Sequence, residues 1–147
     1  MSLVDQLADY EKLPRPDSDA RARLLADGFE RNPARFAVYL AVLDDVPVGY
    51  AIVFETYSSF LARPTLYIED LFVAPGARGQ GAGRALFDFL IAEARRRECG
   101  RMEWVCLDWN RLAIDFYERR GAQHLDEWRY YRLDKAALEK GAQGVTL

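Results

Sequence analysis

Apolar residues recur along this chain at two spacings, and the switches between them mark its elements. Leu3, Leu7 and Tyr10 fall three and four apart, and Pro14 and Pro16 follow, so a first helix is predicted over residues 3–13. Asp17 or Ser18 can cap a second helix running to Glu30, with Leu24, Leu25 and Phe29 as its apolar stripe. The pattern then becomes β-like. Residues 36–43 and 48–57 read as antiparallel strands about a turn at Asp44-Asp45-Val46-Pro47. A loop over 58–64 leads into a central strand, residues 66–73, ended by Ala74-Pro75-Gly76. Helical spacing returns at Leu86, Phe89 and Leu90, with Arg84 and Asp88 off that face, and this long helix is carried to about Glu98 before Gly100 breaks it. Residues 102–107 form a further strand. A helix separates it from the central strand, so the two are expected to run parallel. Asn110 can cap a helix ending at Arg120, with Gly121 as its left-handed stop. Residues 122–133 are expected to supply the last strand or strands, and 134–140 a short helix. Helices and strands in this order make an α/β chain, and 147 residues suit one domain spanning positions 1–147.

Composition narrows the classes. Half the residues are hydrophobic and 29% are charged, as in ordinary globular proteins. A net charge of −3 argues against a general nucleic-acid surface and permits a cationic substrate. The basic run Arg95-Arg96-Arg97 falls at the end of the long helix, where positive charge is favourable, and reads as a solvated helix end. No apolar run approaches the roughly 18 residues of a membrane span, and Met1-Ser2-Leu3 begins no secretory signal, so neither a membrane partner nor export is expected. Cys99 and Cys106 lack CxxC spacing and a single His accompanies them, which points away from a metal and toward reduced thiols in a cytoplasmic protein.

The chemistry concentrates between the central strand and the long helix, where Arg78-Gly79-Gln80-Gly81-Ala82-Gly83 gathers unpaired backbone N–H groups at a helix N-terminus. Such groups bind anions, and glycines let a phosphate approach the backbone; a connecting turn without a ligand is the plainer alternative. A Walker loop needs Lys-Ser/Thr after its last Gly, whereas Gly83 is followed by Arg84-Ala85. A Rossmann fingerprint needs a different glycine spacing and an opening βαβ unit, which this turn, coming after several strands, does not provide.

What remains is Arg/Gln-x-x-Gly-x-Gly/Ala, matched in full from Arg78 to Gly83. This pattern resembles the acetyl-CoA loop of the GNAT superfamily of N-acyltransferases. Tyr67-Ile68-Glu69-Asp70-Leu71-Phe72-Val73, Trp109-Asn110 and the stretch Asp115-Phe116-Tyr117-Glu118-Arg119-Arg120-Gly121-Ala122 are similar to its diamine branch, typified by spermidine/spermine N-acetyltransferases. Leu7-Ala8-Asp9-Tyr10-Glu11 and residues 24–29 (LLADGF) extend the likeness over nearly the whole chain. The resemblance implies a GNAT fold: a mixed, mostly antiparallel sheet whose central parallel pair splays, flanked by helices. It further implies acetyl-CoA as co-substrate, no metal, a small-molecule amine such as a diamine or polyamine as acceptor, and a homodimer. GNAT domains open with a strand before the first helix, and this chain starts at that helix. Either the strand was trimmed or the sheet edge is covered by something else.

The resemblance also assigns roles. Backbone groups of Leu71, Phe72 and Val73 would bind the pantetheine arm like an added strand; residues 78–84 (Arg78, Gly79, Gln80, Gly81, Ala82, Gly83 and Arg84) would hold the pyrophosphate; Asn110, Ala113, Tyr117 and Arg120 would complete the cofactor site. Tyr117 would protonate the leaving thiolate, and Glu69 would take a proton from the amine through water. Glu69 would also anchor the cationic acceptor, with Asp70 as a supporting or structural charge, and Tyr10, Glu11, Asp126 and Glu127 are further aromatics and acids available to line a diamine channel. Each has a plainer reading: Leu71–Val73 as ordinary core strand, Tyr117 as a core tyrosine on the Ala113-Phe116-Tyr117 stripe, the acids as solvated surface. Glu69 and Asp70 are adjacent, so a regular strand would point them to opposite faces. Neither Cys has a nearby His and no Ser sits in a nucleophile elbow, so attack is expected to be direct, without an acyl-enzyme. Two rivals stay open: a different acceptor (an amino acid side chain, an amine drug, a protein N-terminus), and an idle acyl-CoA-binding sensor.

Overall fold

In the computed structural model, which describes residues 2–142, strands β1 (Ala37–Leu43) and β2 (Val46–Ser58) are joined by Asp44 and Asp45 alone. Both aspartates have positive φ, 47° and 62°, the left-handed geometry whose twist matches that of the flanking strands. The turn is therefore shorter than the four residues expected. Val46 and Pro47 join the strand opposite Leu43 and Val42, with Pro47 beside a bulge where a missing N–H is tolerated. β2 continues antiparallel to β3 (Arg63–Val73), and β3 pairs in parallel with β4 (Arg101–Glu103), giving one mixed sheet in the order β1-β2-β3-β4.

Helix α1 (Ser2–Glu11) covers one face of the sheet, laying Leu3, Val4, Leu7 and Tyr10 against buried Tyr50, Ile52 and Phe72. Helix α2 (Ser18–Leu25) is capped by the Asp17 carboxylate, which accepts from Ala20 N, and runs on into a wider turn over Ala26–Glu30. Helix α3 (Ala82–Arg96) packs against all four strands and buries Leu86, Phe87, Leu90 and Ala94. Its C-terminal half is tied to the sheet by Glu93, which accepts from the Tyr39 hydroxyl and from Arg96 and Arg97, while Arg97 reaches Glu55 of β2.

These elements form one compact unit ending at Val105; a second begins at Cys106 and contains α4 (Arg111–Glu118) and α5 (Lys135–Gly141). Asn110 and Asp134 cap the two helices by accepting from Ala113 N and Ala137 N, and Gly121, at φ 84°, follows α4 as expected.

Two expected strands differ. The strand predicted over 102–107 is formed only at Arg101–Glu103, because its register with β3 ends at Tyr67 opposite Glu103; Trp104 instead sets its ring edge-on to Phe87 of α3, centroids 5.5 Å apart. Residues 122–133 contain no strand. A strand exists only where a neighbouring edge accepts its ladder, and this segment has none among the described residues. Its β-prone Trp128, Tyr130 and Tyr131 lie exposed instead.

Candidate active site

β3 carries the site, and one extra residue sets which side chains it offers. Ile52 of β2 pairs with Asp70, but the next residue, Val53, pairs with Ile68, so Glu69 is the additional residue of a β-bulge. Partners across a ladder share a face. Asp70 therefore stands on the α1 face with Ile52, while Ile68 stands on the α3 face with Val53. The regular alternation expected at Glu69-Asp70 is broken there. Without the bulge Asp70 would follow Ile68 into the α3 core.

On the α1 face Asp70 is half-buried and accepts from the Tyr50 hydroxyl at 3.0 Å. Burial pushes the Asp70 carboxyl up to about 6; the Tyr50 hydrogen bond opposes this, and the charges of Glu69 and Glu11 add to it. Glu11 is itself raised by burial, and Tyr50 is raised by burial and by Asp70. Tyr50 was not singled out by the sequence, where it is one strand residue among several. Glu69 is exposed.

Beyond Tyr67 β3 has no ladder on its β4 side, so Leu71, Phe72 and Val73 are paired to β2 alone among the described residues. An edge without a ladder is the kind of place where an extended chain can bond. Gly49 lets β2 come this close: a Cβ there would lie 2.7 Å from the Phe72 carbonyl oxygen. Sequence reasoning passed over this glycine because its constraint comes from a neighbouring strand.

Past Val73 a turn over Pro75–Ala77 leads into the glycine loop. Gly79 and Gly81 have φ of 80° and 89°, conformations other residues seldom adopt, and a Cβ at either would meet nothing within 4 Å. Gly81 is the N-cap of α3 and supplies no side-chain cap, so no capping side chain offsets the positive end of the helix dipole there. This arrangement fits a pyrophosphate. Arg84 is exposed and pairs loosely with Asp88, while Gln80 Nε2 donates to Gly76 O at 3.3 Å. Arg78 behaves differently. Its Nε donates to the Val73 carbonyl at 3.0 Å, and its guanidinium lies over the Tyr10 ring, 4.8 Å from the centroid, and near Phe72.

The structure thus brings Tyr10, Glu11, Asp70, Phe72 and Arg78 to one end of the sheet. In the second unit, α4 holds the others. Asn110 and Ala113 meet in the cap; Tyr117 packs edge-on to Phe116, centroids 5.4 Å apart; the Arg120 guanidinium lies 4.8 Å from the same Phe116 ring. Burial pushes the Tyr117 hydroxyl well above the ordinary tyrosine range, with the Cys106 thiol adding to it. Glu127 is exposed in the strandless segment. Among the described residues no cluster of His, Cys, Asp and Glu could hold a metal, and no helix is long and apolar enough to cross a membrane.

Comparison with known proteins agrees with this geometry. Residues 2–122 match the model of the acetyltransferase (GNAT) family. L-ornithine N5-acetyltransferase NATA1 of Arabidopsis thaliana is 44% identical over 98 residues, covering 66% of this chain and 43% of the plant protein. Thialysine N-epsilon-acetyltransferase of Bos taurus is 31% identical over 150 residues, covering 95% of this chain and 88% of its own length. Among solved structures, an integron cassette protein from the mobile metagenome of V. cholerae superposes with a TM-score of 0.82 at 26% identity, over 97% of this chain and 88% of that one. With a family match over most of its length and the fold to go with it, the chain belongs to the acetyltransferase (GNAT) family.

Proposed function

We propose that this protein transfers acetyl directly from acetyl-CoA to the terminal primary amine of a small diamine, a class that includes ornithine, thialysine and polyamines. The observation that carries the reading is the open, uncapped N-terminus of α3 behind two left-handed glycines, continuous with the unladdered edge of β3. The relatives named above supply the acceptor class, since ornithine and thialysine both present an amine at the end of a short chain.

Acetyl-CoA, when bound, supplies an activated acyl thioester. The N–H groups of 79–84 would hold its pyrophosphate, and those of Leu71, Phe72 and Val73 its pantetheine arm. One of the latter would polarise the thioester carbonyl and stabilise the charge that develops on its oxygen. An amine with a pKa near about 10 arrives protonated. Glu11 and Asp70 would attract it, and Glu69, exposed at the bulge, would take its proton through water. Tyr117, held protonated by burial, would donate its proton to the leaving thiolate. One observation favours a second assignment of the base. Asp70, at about 6, is closer than an ordinary carboxylate to the pKa a general base needs at neutral pH. We further propose a homodimer, supported by the aromatic segment around Trp128 that joins no ladder among the described residues, and a cytoplasmic setting.

Thiol release measured across L-ornithine, thialysine, spermidine and putrescine tests the reaction. Release with at least one diamine is expected. Stabilisation by acetyl-CoA without release from any amine would mean a sensor instead. In an active protein Tyr117→Phe should lower turnover roughly 10²- to 10⁴-fold at every pH. Loss of the base should be partly rescued, at saturating amine, as pH rises toward the amine pKa. Comparing Glu69→Gln with Asp70→Asn for that rescue identifies which carboxylate serves; rescue in neither removes both.

A further inference from the structure

Arg78 begins the glycine loop, yet its side chain serves the other end of the site. The Nε bond to Val73 O anchors it to β3, and its planar face rests on Tyr10 in the last turn of α1. The next residue in that turn is Glu11, close enough for its charge to raise Asp70 and Tyr50. One side chain therefore spans from the loop that would hold a pyrophosphate to the turn that would hold a cationic amine. The two glycines that follow Arg78 at positive φ make the loop backbone soft on its own. Phosphate bonding would fix that backbone, and with it the root of Arg78.

We propose that Arg78 is a positioning residue that couples the two ligands: a filled glycine loop braces the last turn of α1 through Arg78 and Tyr10, and so places Glu11 beside Asp70 for the amine. The inference rests on the acetyl-transfer reading above. Its physical content is entropic as well as geometric, because a turn already ordered by the first ligand need not be ordered again by the second. Coupling of this kind is reciprocal, so the amine must tighten CoA by the same factor.

Calorimetry with free CoA, which cannot transfer acetyl, and the amine turned over fastest among L-ornithine, thialysine and spermidine measures the coupling as a ratio of dissociation constants. In the native protein saturating CoA should lower the amine Kd about fivefold or more. Arg78→Leu and Tyr10→Leu should each bring that ratio to within about twofold of one, and the double variant should lose no more, the mark of two residues acting as one strut. Arg78→Lys, which keeps the charge but not the planar fork, should fall between. A merely structural role would alter affinities and leave the ratio alone. If Arg78→Leu does not fold, Tyr10→Leu and Arg78→Lys decide the matter. A native ratio near one with both ligands bound, or an unchanged ratio in Tyr10→Leu and either Arg78 variant, would overturn the inference and leave acetyl transfer standing. A native protein that binds no CoA would overturn both.

Discussion

Gly81 meets two requirements at once, a left-handed backbone and an empty approach to the first turn of α3. Gly81→Asp strains the first and puts a negative charge in the second. A like charge about 4 Å from a phosphate costs a few kcal/mol near a protein surface, so CoA affinity should fall roughly 100-fold or more while the far-UV spectrum is kept. Gly76→Ala, at a glycine with ordinary φ and open surroundings, is the control and should bind CoA as the native protein does. Asp70 makes a prediction about stability. Its folded pKa lies above that of the unfolded chain, so the folded protein carries no penalty below about pH 4 and the full penalty of an ionised, half-buried carboxylate above about pH 6. Asp70→Asn should therefore raise the melting temperature at pH 8, by an amount equivalent to roughly 1–3 kcal/mol less any weakening of the Tyr50 bond, and leave it nearly unchanged at pH 4. Destabilisation at pH 8 would show that the hydrogen bond outweighs the burial.

At the scale of elements, a bulge and a latch decide what α1 and α3 can hold. The bulge at Glu69 turns the β3 sequence over, so Ile68 feeds the α3 core while Asp70 and Phe72 feed the α1 face. A one-residue change in register moves every later side chain to the opposite face. The latch is Glu93, whose carboxylate is held down to about 2 chiefly by Arg96, with Arg97 and Tyr39 also bonded to it. Its folded pKa lies below the ordinary value, so its contribution is complete above about pH 4.5 and is lost as pH falls through about 2. Glu93→Gln should cost about 2 kcal/mol at neutral pH, as expected for a hydrogen bond to charge, and the gap from the native protein should close in acid denaturation near pH 2. A gap independent of pH would mean that packing, not charge, holds α3 there.

For the molecule as a whole, the segment after Gly121 bears on assembly. Trp128 and Tyr131 of this segment are 74% and 82% exposed, and the proposed homodimer would cover them. If a second copy covers it, light scattering at micromolar concentration should give twice the chain mass of 16.8 kDa, and Trp128→Asp with Tyr131→Asp should return the monomer. A native monomer under these conditions would assign those aromatics elsewhere.

Local rules sufficed wherever a residue's state depends on its near neighbours in sequence. The caps at Asp17 (one of two candidates, with Ser18) and Asn110 and the stops at Pro14 and Gly121 are set within a few residues, and these were legible. The parallel pairing of β3 and β4 was legible too, because an intervening helix leaves little alternative. Other features depend on what a distant segment offers. Period-2 patterning cannot tell where a parallel register runs out, so the strand expected over 102–107 shrank to Arg101–Glu103, and residues 122–133, with strand-like composition, join no ladder among the described residues. The bulge at Glu69 is a mismatch between two strands and has no signature in either alone. Tyr50 gained its role from Asp70, twenty residues away, and Arg78 gained its role from Tyr10. Backbone propensity acts through bonds, so it is written locally; partners across a sheet act through space, and only the folded chain brings them together.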